Sequence, residues 1–276
     1  MNKFDEQKAL RAEAFFDTLK LLEKEDIKKK LENSRTKLYR EDKEIEIEKQ
    51  NRRGEILVLK TSTLNASKNF KDKVCILNFA SATNPGGGVK NGSNAQEESI
   101  CRVTSLYKEL STQFLFDNFY MYHRERKNTL YTDRIIYSEN VLVLKEDFAP
   151  YNTFSEDSQR FINVITSPAP NIRNLQGIKE EKLLDILTSR IIRILEVAIE
   201  NKNTNIVLGA FGCGAFGNPP KIVAKAFKNV LFDKNYRRYF DTIIFAILDG
   251  KNTNNFEIFE SILRDPQLID CRPEIL

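Results

Sequence analysis

The sequence predicts an α/β fold, a mixed sheet sandwiched by helices and preceded by an N-terminal helical extension. Three observations carry this: short, nearly continuous apolar runs of strand length recur along the chain, amphipathic stretches of helical period alternate with them, and two of the runs open directly into glycine-rich loops. With 276 residues the chain can bury a substantial core in one large domain.

Taken in order, residues 5–33 read as one or two helices, because Leu10, Ala14, Leu19, Leu22 and Ile27 recur at roughly helical spacing among charges. The Lys/Glu run there reads as a solvated helix face, with an interaction tail as the alternative. Residues 43–49 alternate as EIEIE and residues 55–60 contain ILVL, so both read as strands. VCILNFA at 74–80 fits a strand buried on both faces, followed by a Pro/Gly-rich loop and a helix from Ala95 to Leu110. The stretch 113–134 is aromatic (Phe114, Phe116, Phe119, Tyr120, Tyr122, Tyr131), suited to stacking a base, packing a core or forming a lid. Strands follow at 135–145 and 161–167, and PAPN breaks the pattern before a long helix over 179–201. The last third repeats the rhythm: strand 205–210, loop 212–220, helix 222–232, strand 241–249, helix 256–263. No internal repeat or low-complexity linker interrupts it. Residues 1–50 therefore read as a helical extension packed on a core of residues 51–276, one domain overall.

Composition narrows the function. Lys and Arg number 43 against 39 Asp and Glu, and this +4 balance argues for neither nucleic acid nor a membrane as the main partner. Cys75, Cys101, Cys213 and Cys271 stand far apart without a C-x-x-C pair, which fits neither a disulfide framework nor a zinc site. The first residues are charged and lack the apolar core of a signal peptide, and no apolar run reaches bilayer length. A cytoplasmic location is expected.

Chemistry concentrates in two loops. NPGGGVKNG runs from a strand end into a helix; three successive glycines let a ligand approach the backbone, whose N–H groups can form an anion nest near the helix start. Asn91 stands where a Walker A loop needs Ser or Thr, and no dinucleotide fingerprint is present. GAFGCGAFGNPP at 209–220, punctuated by Gly209, Gly212, Gly214 and Gly217, also leads from strand to helix. Two such loops can grip a diphosphate from both sides. Cys213 could serve as a nucleophile, but the only imidazole is His123 and nothing in the sequence brings it near, so a packed thiol is the plainer reading. Gln96, Glu97 and Glu98 open the helix after the first loop. Adjacent carboxylates lie about 100° apart around a helix, so they cannot flank one glycosidic bond as a conventional pair does. One acid/base glutamate is implied, or else two helix-start acids that favour the macrodipole.

Together, NFASATNPGGGVKNGSNAQEES and LGAFGCGAFGNPP closely resemble the microbial-type poly(ADP-ribose) glycohydrolase family, and ALRAEAFFDTLKLL, SICRVTSLY, ITSPAPN and FAILD extend the likeness. The resemblance implies a macrodomain core with extra N-terminal helices. It implies that Glu98 protonates the departing ribose oxygen and then activates water, while Glu97 binds the ribose hydroxyls beside the scissile bond. It places Gly86, Gly87, Gly88 and Val89 along the distal ribose and diphosphate, with Gln96 in the same binding set. Gly212, Cys213, Gly214, Ala215 and Gly217 would wrap the diphosphate, Phe216 would pack on the distal ribose, and Asn84 would be a ribose ligand. No metal and no cofactor is implied. The expected partners are poly(ADP-ribose) or ADP-ribosylated macromolecules, with ADP-ribose as product of exo-cleavage. Removal of single ADP-ribose units from protein or nucleic acid, and binding without turnover, are the competing functions. A negative Glu97 would raise the pKa of Glu98, and the helix start would oppose that rise.

Overall fold

The computed structural model describes residues 3–42, 44–71, 73–250 and 253–264. The chain opens with α1 (Lys3–Leu21) and α2 (Glu25–Lys30), then β1 (Arg35–Tyr39), β2 (Glu55–Leu59) and the short α3 (Thr63–Ala66). The apolar run at 74–80 forms β3 (Cys75–Phe79), and the helix after the first glycine loop is α4 (Gln96–Val103). Shorter helices α5 (Leu106–Leu110), α6 (Gln113–Leu115) and α7 (Tyr122–Arg126) lead to β4 (Ile135–Val143) and β5 (Arg160–Ser167). Then come α8 (Glu180–Glu200), β6 (Asn205–Leu208), α9 (Pro220–Lys228), β7 (Thr242–Ala246) and α10 (Asn255–Leu263). Among the described residues no helix is long and apolar enough to cross a membrane.

Seven strands form one sheet in the order β1-β4-β5-β3-β6-β7-β2. β4 pairs antiparallel with both β1 and β5, and the remaining pairs are parallel, so the sheet is mixed as expected. The period-2 alternation of strand side chains sends alternate residues to opposite layers. Cys75 and Leu77 of β3, Ile206 and Leu208 of β6, and Ile243 and Phe245 of β7 join the core beneath α8, α9 and α10. Ile76, Val207 and Ile244 face the other core, made with Phe15 of α1 and Ile100, Cys101 and Val103 of α4. Helices thus cover both faces.

Three expectations are revised. Residues 44–50 carry no strand, although their alternation suits one. β1 and β2 already occupy the two edges of the sheet, and this segment carries the chain from one edge to the other, with Ile45 packed on the core below. The stretch 1–50 is accordingly more than a helical extension, since residues 35–39 are the edge strand β1. The helix expected over 95–110 is two helices, α4 and α5. Leu144 N–H donates to Val103 O and Ser105 N–H to Leu142 O, both at 2.9 Å, so the end of β4 claims backbone groups that a continuous helix would need. Cys271 lies outside the described residues.

Candidate active site

The carboxyl ends of the parallel strands converge on one side of the molecule, where an open α/β sheet places its ligands. A cleft of about 650 Å³ opens there. Phe79, Ala169, Ala210 and Ala246, each at or just beyond a strand end, form its floor, and Gly212, Gly214, Ala215 and Phe216 of the second loop form one wall. Gln7, Leu10 and Arg11 of α1 and residues 147–149 and Tyr151 also line it. Leu10, part of the apolar spacing that marks α1 as a helix, is 39% exposed and serves as cleft wall.

The first turn of α4 separates two environments. Gln96, Ser99 and Ile100 line the cleft, whereas Glu97, Glu98 and Cys101 project towards the first loop. Gln96 spends its amide on the scaffold: its Oε1 accepts from Phe79 N–H at 2.8 Å, and its Nε2 donates to Leu77 O at 2.7 Å and Thr63 Oγ1 at 3.1 Å. It bolts the helix start to the end of β3 rather than presenting free donors. Glu97 is 3% exposed and Glu98 9%. Glu97 Oε2 accepts from Ser81 N–H at 2.7 Å and Oε1 from Asn78 Nδ2 at 3.3 Å. Burial lifts the Glu97 carboxyl to about 8; the Ser81 N–H opposes the rise and the neighbouring charge of Glu98 adds to it.

Glu98 is held differently. Its Oε1 accepts from Gly88 N–H at 2.9 Å, an anchor outside its own helix. Helix-start acids that serve only the macrodipole need no such partner. The loop supplying this N–H is built for close approach. Gly86 and Gly87 adopt positive φ, +64° and +56°, and a Cβ on Gly87 would stand 2.5 Å from Glu98 Oε1. A Cβ on Gly88 would meet Ser93 Oγ at 2.4 Å. Val89 departs from its expected placement along the ligand: its side chain is fully buried in the α1–α4 core and its N–H closes the turn on Gly86 O at 3.1 Å.

Asn84 lies exposed at the outer edge of the loop, away from the cleft lining. Its Oδ1 accepts from Arg124 Nη2 at 2.8 Å, and Arg124 Nε donates to Thr83 O at 2.8 Å. In the second loop, Phe216 lies 6.0 Å, centroid to centroid, from Tyr131. Cys213 is half-buried and does not line the cleft; burial raises its thiol to about 12, far from a ready thiolate. His123, packed between Phe119 and Tyr131, is lowered to about 4 by burial, so it stays neutral near pH 7. A Cys/His nucleophile pair finds no support.

Comparison with known proteins fits this geometry. The family model for the microbial-type PARG catalytic domain matches residues 11–146, and no curated protein matches. The structure of poly(ADP-ribose) glycohydrolase from Deinococcus radiodurans in complex with ADP-ribose superimposes with a TM-score of 0.69 at 31% identity, covering 77% of this chain and 85% of that one. The chain belongs to the microbial-type poly(ADP-ribose) glycohydrolase family. Another member, from Thermomonospora curvata and bound to the inhibitor ADP-HPD, superimposes with a TM-score of 0.76 at 29% identity, covering 91% of this chain and 98% of that one. The family's fold, a macrodomain-like sheet between helices, is therefore this chain's fold.

Sequence reasoning missed Asn78, Arg124 and the cleft walls on α1 and at 147–151. Asn78 carried a signal, a lone polar residue inside the apolar run VCILNFA. Arg124 carried none, because its partner loop lies forty residues away.

Proposed function

We propose that this chain hydrolyses the ribose–ribose O-glycosidic bonds of poly(ADP-ribose) from the chain end, with Glu98 as acid/base. The single observation that carries the assignment is the Glu98 carboxyl fixed by Gly88 N–H at 2.9 Å, beside a glycine that leaves room for nothing larger than hydrogen. In this reading the terminal ADP-ribose lies in the cleft with its diphosphate against Gly212–Gly217, and its distal ribose sits between Phe216 and Gly87. Gly86 and Gly88 back that ribose, and Asn84 approaches it from the outer edge.

Glu98 gives its proton to the leaving ribose oxygen as the anomeric C–O bond breaks, and positive charge develops on the departing sugar. Water then attacks the anomeric carbon and returns a proton to Glu98, so one carboxyl serves both steps. Glu97 holds the adjacent hydroxyls. Its raised pKa lets it act as donor or acceptor near neutrality. Exo-cleavage belongs to the same reading, with Gln7, Leu10 and Arg11 of α1, which line the cleft, taken to face the adenosine end of the terminal unit. A cytoplasmic setting belongs to the same reading and is supported by the unpaired thiols of Cys75, Cys101 and Cys213.

The test incubates labelled poly(ADP-ribose) and mono-ADP-ribosylated protein with the parent and with Glu98→Gln, and measures ADP-ribose binding by both. Gln keeps an acceptor for Gly88 N–H, so the variant should bind ADP-ribose and lose turnover by about 100-fold or more. Full turnover in the variant overturns the role of Glu98. Binding without hydrolysis by the parent favours a reader, and release from mono-ADP-ribosylated protein alone favours the single-unit hydrolase.

A further inference from the structure

The two loops of the site are bridged on the side away from the cleft by a basic rim that the reaction leaves unused. Helix α7 and the residue after it read Arg124, Glu125, Arg126 and Lys127, all exposed, three cations and one acid in succession. Arg124 clasps the first loop through Thr83 O and Asn84 Oδ1. The chain then runs past Tyr131, which meets Phe216 of the second loop, and Thr129 O accepts from Asn171 N–H at 2.8 Å. That bond brings in the segment carrying Arg173, also exposed, whose backbone lies 3.5 Å from where a Cβ of Gly217 would stand. Among the described residues no carboxylate comes within ion-pair distance of Arg124, Arg126, Lys127 or Arg173. None of these four cations lines the cleft, whose lining includes Gln7, Leu10 and Arg11 of α1 and residues 147–149.

We propose that Arg126, Lys127 and Arg173 form a subsite for the polyanionic chain on the leaving side of the scissile bond, taking up the pyrophosphate of the next unit. This rests on the glycohydrolase reading above. If the terminal unit fills the cleft and its distal ribose reaches Glu98, the remaining polymer leaves over the outer edge of the first loop, where Asn84 and Arg124 stand. Each further unit brings a pyrophosphate. Cations without carboxylate partners keep their full attraction for such a chain, and binding releases the counterions condensed on it. The rim thereby favours long chains over a lone ADP-ribose group without touching the reacting atoms. It also separates binding of the polymer from recognition of the terminal unit.

The test compares the parent with the double variant Arg126→Glu/Lys127→Glu and with Arg173→Glu. Substrates are poly(ADP-ribose) fractionated by length and an aryl ADP-ribose, which has no phosphate beyond the scissile bond. The expected result is a fall in kcat/KM on long chains of about tenfold for the double variant, with a shallower dependence on salt concentration. Rates on aryl ADP-ribose and the affinity for free ADP-ribose should stay at parent values. An active parent with variants that lose the same factor on every substrate, or nothing on long chains, overturns the subsite alone. A parent inert towards all substrates overturns the glycohydrolase reading. Competition by single-stranded DNA as strong as that by unlabelled polymer overturns the assignment of the rim to the substrate's own chain.

Discussion

Replacing Gly87 by Ala should disable the enzyme while leaving it folded. The added methyl would stand 2.5 Å from Glu98 Oε1 and 3.1 Å from Glu97 Oε2, where ordinary van der Waals contact begins at 3.4 Å. Glu98 must therefore retreat by almost 1 Å, and its bond from Gly88 N–H, now 2.9 Å, is lost or badly stretched. Two terms add. An L-residue held at positive φ costs about 1–2 kcal/mol relative to Gly, and leaving the Gly88 N–H without its partner costs about 1–3 kcal/mol. A loss near 3 kcal/mol should lower Tm by roughly 6–12 °C. A reacting group misplaced by about 1 Å costs on the order of 100-fold in rate, so kcat should fall by that factor while ADP-ribose still binds through the second loop. The assay pairs thermal unfolding with single-turnover hydrolysis of labelled polymer. Parent-like kcat with an unchanged Tm would refute the claim that this glycine exists to let Glu98 approach the loop.

Two further outcomes follow from the same geometry. Gly214→Ala should fold like the parent, within about 1 °C of its Tm, because no atom lies within 4 Å of the added Cβ and φ is not positive. Since Gly214 lines the cleft, the methyl occupies ligand space, and calorimetry should show weaker ADP-ribose binding, by about tenfold; unchanged affinity would remove this loop from the diphosphate grip. Glu97→Gln should change how stability depends on pH. Glu97 holds its proton up to about pH 8 when folded, against an ordinary value of 4.5, so between those values the folded state binds more protons than the unfolded one. Stability then falls as pH rises, by up to about 1.4 kcal/mol per unit, and Gln has no proton to release. Denaturant titrations from pH 5 to pH 8 should show the variant gaining on the parent, whereas parallel curves would contradict a Glu97 proton retained through burial.

The helical layers and the doubly buried character of the central strands were legible because their causes are local. VCILNFA and NIVLGA are too apolar to lie anywhere but between two helical layers, and the stripe of α8 announces a helix. EIEIE misled because alternation reports only that a segment can pair, whereas here the segment is spent carrying the chain from edge strand β1 across to edge strand β2. The split at Thr104 was invisible for a similar reason, its cause being backbone groups of β4 about forty residues away. Within the site, the glycine triplet and the glutamate pair were readable, because a backbone packed this closely on side chains restricts residue type at consecutive positions. Their division of labour was less so. Only the packing shows Glu97 buried on Asn78 and Ser81 with Glu98 held by Gly88, and only the packing turns Val89 into the core.

The docking of α1 has a consequence for how ligand and fold communicate. Arg11 Nε donates to Gly92 O at 2.7 Å, Thr18 Oγ1 to Arg102 O at 2.6 Å, and a Cβ on Gly92 would stand 2.0 Å from Lys8 O. The helix therefore rests its backbone directly on the segment joining the glycine triplet to α4, while Gln7, Leu10 and Arg11 face the cleft. In the reading proposed above, an ADP-ribose in the cleft touches both partners of that contact at once, because Asn94 and Ala95 line it beside Gln7, Leu10 and Arg11. Occupancy and helix docking are then two sides of one equilibrium: ligand bound only to the docked form lowers the undocked population by the factor 1 + [L]/Kd. The same coupling runs backwards, so substitutions on the far face of α1 that loosen its seat weaken the grip on substrate without touching it.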